Sequence, residues 1–104
     1  MFEFYKKFIT EEHYLTHNEI ASLWSVFTLT GNPHKRLASA ILKKYISDNH
    51  IEEVFYPSRH GMINVYSRSV YLPAYKDLLN LMDQCKEGSV VIDGKTHNYR
   101  RERV

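Results

Sequence analysis

Apolar residues recur near the helical period along residues 2–13, where Phe2, Phe4, Tyr5, Phe8 and Ile9 oppose Lys6, Lys7, Glu11 and Glu12. That pattern predicts an amphipathic first helix. A sharper signal follows it. Leu15 precedes Thr16-His17-Asn18-Glu19, which has the spacing of a capping box. There the threonine hydroxyl accepts from the Glu19 N–H and the Glu19 carboxylate accepts from the Thr16 N–H. Leu15 and Ile20 are placed as its hydrophobic staple. Ile20, Leu23, Trp24 and Phe27 then stand at i, i+3, i+4 and i+7, which predicts one buried stripe.

Residues 28–32 contain Gly31 and read as a connector. Asn32 suits the cap of a third helix and Pro33 its first position, where no N–H is needed. That helix is expected to run to about Ser47, with Asp48-Asn49 as its stop. Residues 51–56 precede Pro57-Ser58-Arg59-His60-Gly61, and in residues 62–67 Ile63 and Val65 alternate against Asn64 and Tyr66, so two strands around a glycine-containing turn predict a hairpin. Pro73 is placed to open a last helix, with Tyr75, Leu78, Leu79, Met82 and Cys85 along one side and Gly88 as its C-cap. Val90-Val91-Ile92, the turn pair Asp93-Gly94 and the segment to Tyr99 predict a second hairpin, and residues 100–104 a mobile tail. The class expected is α+β.

Charge singles out the third helix. Between Ile20 and Ser47 stand four basic residues, Lys35, Arg36, Lys43 and Lys44, and no acid, although the chain holds 12 acids elsewhere. On a helical wheel Lys35, Arg36, Ser39 and Lys43 share one face, and Leu37, Ala38, Ile41, Leu42 and Tyr45 the other. A helix with one dry side and one basic, small-residue side suits a nucleic-acid groove. Basic residues also gather at Arg59, Arg68 and Lys76, and at Lys95, Arg100, Arg101 and Arg103 near the end. The formal charge of +2 alone points to no partner.

At 104 residues, with 43% hydrophobic and 25% charged content, the chain has the composition of one globular domain. Cys85 is the single cysteine, which excludes an intramolecular disulfide and a cysteine-based zinc site. Met1 is followed by aromatic and charged residues rather than a signal-peptide core, and no apolar run reaches membrane-spanning length. A cytoplasmic protein without membrane contact is expected. His13 and His17 lack a third ligand at useful spacing, so neither metal nor other cofactor is expected. Cys85 lies in an apolar stripe, Ser58-Arg59-His60 lacks an orienting acid, and no glycine-rich phosphate loop exists. The residues argue against an enzyme.

Three helices followed by a hairpin, with a basic third helix and an arginine at the hairpin tip, resemble the winged helix-turn-helix superfamily of small bacterial, phage or plasmid regulators. The likeness is carried by Leu15-Thr16-His17-Asn18-Glu19-Ile20-Ala21 and by residues 37–52, where helix, small polar turn, isoleucine and strand succeed one another. The resemblance implies a winged domain over residues 1–70, an added helix and hairpin over 71–99, and a basic tail over 100–104. It implies a regulator of transcription, a repressor by preference, that binds double-stranded DNA. Lys35, Arg36, Ser39 and Lys43 would enter the major groove, and Arg59 and His60 of the wing would lie at the neighbouring backbone. Arg100 and Arg101 would add phosphate contacts. Tyr75, Leu78, Leu79 and Met82 would pair two copies as a homodimer.

Two other classes stay open. Glu52, Glu53 and the long connection over residues 25–32 favour an adaptor or inhibitor that docks on a protein partner. Tyr56 and Tyr66 would instead suit stacking on single-stranded DNA.

Overall fold

The computed structural model describes residues 14–82 and 87–101. The helix expected over residues 2–13 and the site of Cys85 lie outside them. The described elements are α1 (His17–Leu23), α2 (Lys35–Asp48), β1 (Val54–Ser58), β2 (Gly61–Val65), α3 (Arg68–Leu81), β3 (Glu87–Ile92) and β4 (Lys95–Arg100). They form an α+β unit of three helices and two antiparallel hairpins.

Helix α1 begins at the expected capping box: Glu19 N donates to Thr16 Oγ1 over 3.3 Å, and Thr16 N donates to Glu19 Oε1 over 3.0 Å. It ends earlier than its apolar spacing predicts. Ser25 takes a left-handed φ of 55°, Val26 N donates to Ala21 O and Ser25 N to Ser22 O. Those two bonds make a Schellman motif with serine at the position glycine usually holds. The stripe is corrected accordingly: Ile20, Ala21 and Trp24 are buried, but Leu23 is 57% exposed. Phe27 is buried as expected, but beyond the helix, where it bridges to Pro33 and Arg100.

Helix α2 is capped by His34, not Asn32. Asn32 is held in the preceding loop, where its carbonyl accepts from Thr28 N and its N–H donates to Thr28 Oγ1. At the far end the same C-terminal device recurs, with His50 at φ 54°, Ile51 N donating to Ile46 O and His50 N to Ser47 O. Ile51 therefore closes the helix rather than opening a strand.

The first hairpin pairs Val54 with Val65 through Ser58 with Gly61 and turns at Arg59-His60. Gly61, at φ 106°, takes a conformation that strains any other residue. Helix α3 starts at Arg68 behind Ser67 and carries Pro73 inside it, so Pro73 does not open the helix as expected. The missing Pro73 N–H leaves the Ser69 carbonyl without its i+4 helical donor, on a residue exposed to solvent. Buried Val70 and Tyr71 draw the extra turn onto the core. The helix stops at Leu81, with Met82 as cap. Gly88 belongs to β3, opposite Tyr99, and is no C-cap. A Cβ on Gly88 would stand 3.4 Å from the Tyr99 hydroxyl, which donates to Met82 O over 2.8 Å. The glycine makes room for the tyrosine that closes α3.

One cluster joins Ile20 and Trp24 of the first helical segment, Leu37, Ile41 and Leu42 of α2, Leu78 of α3, and Val90, Ile92 and Tyr99 of the second hairpin. The boundary expected between residues 70 and 71 falls inside α3, and the core runs across it. No helix among the described residues is long and apolar enough to cross a membrane.

Candidate nucleic-acid interface

Helix α2 separates its two chemistries as the wheel requires. Leu37, Ala38, Ile41, Leu42 and Ile46 are buried, while Lys35, Arg36 and Lys43 are exposed and Ser39 half-buried. Those four outward residues line a single open groove of about 980 Å³. Its opposite wall is the second hairpin, through Ile92, Asp93, Lys95, Thr96 and His97; His17 and Ala40 complete the lining.

Residue spacing gives no warning of that second wall, because nothing local says where a hairpin docks. One signal is available. In the β3–β4 register Ile92 faces Lys95, Val90 faces His97 and Gly88 faces Tyr99, so alternation puts Lys95 and His97 on the side of the hairpin that carries buried Val90, Ile92 and Tyr99. The dry face of the hairpin continues past the core into the groove.

The lining carries Lys35, Arg36, Lys43 and Lys95 against Asp93, four positive charges less one negative, or +3 among the described residues. Its histidines sense that field. Burial, then Lys43, holds His17 below its ordinary pKa, with Glu53 opposing and Lys35 adding to the depression. Burial, then Lys95 and Arg36, does the same to His97. Tyr66 OH, pushed upward chiefly by burial, keeps its proton and shares a 2.9 Å hydrogen bond with His17 Nε2. Lys44 lies outside the lining and pairs with Asp48 at 2.8 Å.

A third histidine ties the two walls together. His34 Nδ1 accepts from Leu37 N over 3.2 Å, which caps α2 and leaves the proton on Nε2. Nε2 then donates to Asn98 O of β4 over 2.9 Å. His34 is 8% exposed, and burial holds its pKa down. One ring thus fixes the start of the basic helix against the strand that faces it.

The remaining expected residues lie elsewhere. Arg59 and His60 are exposed at the tip of the first hairpin and do not line the groove. Arg100 is no tail residue: it ends β4 and exchanges two 2.8 Å backbone bonds with Phe27. Arg101 is a structural clamp rather than a free phosphate contact. Its guanidinium donates to Ser25 O (3.1 Å), Trp24 O (3.0 Å) and Tyr75 OH (2.7 Å). It therefore satisfies carbonyls at the end of α1. Of the expected dimer residues, Leu78 and Met82 are buried within the chain at 0% and 3% exposure, so they offer no surface to a second copy. Tyr75 stacks on Trp24, and Leu79 alone of the four is exposed. Tyr66 is 2% exposed and has no ring face for a base; Tyr56 packs edge-on against Tyr14.

No family model matches the chain, and neither does any curated protein or solved structure.

Proposed function

We propose that this chain is a DNA-binding regulator of winged helix-turn-helix type, a repressor by preference, that presents α2 to duplex DNA. The observation that carries the reading is the gathering of Lys35, Arg36 and Lys43 around Ser39 on one outward face of a helix whose other face is buried. Such a face neutralises phosphates and sets a small hydroxyl near base edges. The order of α1, α2 and the β1–β2 hairpin suits the same reading, with Arg59 at the hairpin tip. Pairing of two copies through α3 would use exposed Leu72 and Leu79, seven residues apart on one side of the helix, rather than buried Leu78 and Met82.

The test is anisotropy of a short random-sequence duplex with the wild-type chain and with Lys35→Ala/Arg36→Ala. Wild type should lose affinity linearly in log salt, and the double variant should weaken binding roughly tenfold and flatten the slope by about 1.8. Equal affinity of the two proteins overturns the reading. A protein-docking adaptor is the second reading, favoured by Phe55 and Met62, 44% and 63% exposed, which share one side of the first hairpin with Pro57.

A further inference from the structure

The groove has cations on both walls, and only one wall belongs to the helix on which the DNA reading rests. Lys35, Arg36 and Lys43 line it from α2, and Lys95 from the opposing hairpin; Ser39 adds a hydroxyl-bearing residue on the helix side. Ala40 and Ile92 are the hydrophobic residues of its lining. A groove that is cationic on both flanks suits a linear polyanion passing between its walls.

The second wall is rigid. Asp93 and Gly94 at φ 50° and 82° form a two-residue turn of the type that matches the strand twist. Val90, Ile92 and Tyr99 anchor the strands in the core, and His34 holds Asn98 to the first turn of α2. A groove of fixed width loses little freedom when a backbone enters it.

We propose that the β3–β4 hairpin is a second DNA-contacting element, with Lys95 gripping the sugar–phosphate backbone of one strand against the basic face of α2. This rests on the duplex-binding reading above and adds to it the element that closes on the strand. Asp93, at the lip of that wall, is the groove's one acid among the described residues. Its field reaches Lys44, whose pKa is raised first by Asp48 and then by Asp93. Asp93 opposes an incoming phosphate, so its charge holds the affinity below what the fold would otherwise give.

The experiment compares the wild-type full chain with Lys95→Gln, Asp93→Asn, Arg59→Ala and Lys35→Ala/Arg36→Ala. Binding is read by anisotropy on the same duplex at about 0.05 and 0.2 M salt. Lys95→Gln should weaken binding several-fold and flatten the salt slope by about 0.9. Asp93→Asn should tighten binding roughly two- to five-fold, a gain that misfolding does not produce; asparagine also keeps the left-handed turn. If the helix variant loses affinity while Lys95→Gln and Asp93→Asn behave as wild type, the hairpin's role falls and the helix reading stands. The hairpin's role falls equally if Arg59→Ala reduces binding and Lys95→Gln does not. If the wild-type chain binds no duplex at either salt concentration, both readings fall together.

Discussion

The two hairpins are close in size, five and six paired positions, and have opposite fates. Strands β3 and β4 bury Val90, Ile92 and Tyr99 in the common core, turn through Asp93-Gly94, and end in paired backbone bonds between Arg100 and Phe27. Strands β1 and β2 bury Val65 and leave Phe55 and Met62 open to solvent, with Arg59 and His60 at the tip. Both hairpins are antiparallel pairs held by backbone hydrogen bonds. What separates them is whether the inward side chains find a core to enter. The first is an arm attached at its root; the second is a wall of the domain.

Truncation should expose that difference most strongly. Tyr99→Ala removes a fully buried ring and the hydroxyl that closes α3, and should cost about 3–5 kcal/mol in urea or thermal unfolding. Phe55→Ala on the arm should change stability by less than about 0.5 kcal/mol. Comparable losses at both positions would erase the distinction.

The arginines beside each hairpin come next. Arg101→Ala leaves the carbonyls of Trp24 and Ser25 without their donor and should cost about 2 kcal/mol, whereas Arg59→Ala should leave the unfolding midpoint in place. Acid should act on the wall side as well. His17, His34 and His97 all have lowered pKa values in the fold, so the unfolded chain binds more protons than the folded one. Stability is then full above the ordinary histidine value near 6.5 and falls as pH drops through the lowered values. Thermal midpoints between pH 7.5 and 5 should decline, and His34→Asn, which keeps a helix cap, should flatten that decline. A midpoint independent of pH would remove His34 as the strut between the walls.

The smallest contrast lies in the turns. A Cβ at Gly94 or at Gly61 meets no atom within 4 Å, yet both φ values are left-handed. Gly94→Ala should therefore cost about 1 kcal/mol of global stability, purely as backbone strain. Gly61→Ala bears the same strain on a looser element, so its cost should register as local opening in amide exchange more than in the global midpoint.

Local chemistry is legible in the chain and long-range docking is not. The Thr16/Glu19 capping box, the two faces of α2 and the Asp93-Gly94 turn each depend on residues close in sequence, and each stands where the pattern puts it. The helix ends escape the pattern because Ser25 and His50 take a conformation normally signalled by glycine, and the hydrogen bonds that hold them involve backbone atoms with no side-chain signature. Pro73 suits a helix start because its missing N–H is harmless there, yet packing of Val70 and Tyr71 outweighs the lost bond. On the candidate site, the α2 half is visible as a run of cations, but Lys95, Thr96 and His97 join it only through tertiary contact. Arg101 misleads for the same reason: a basic residue near a chain end looks solvated until its acceptors, 76 and 77 residues away, are in place.

The His34–Asn98 bond spans 64 positions of the chain, and that separation has a consequence for assembly. The capping box, the helix ends and the first hairpin close over short segments and form quickly, whereas bringing β4 back to α2 requires closing a long loop. On a ribosome the cationic helix emerges well before the strand that will face it. The groove is thus completed only once β4 is made, and a chain interrupted before Asn98 would display a charged helix with nothing to hold a strand against it.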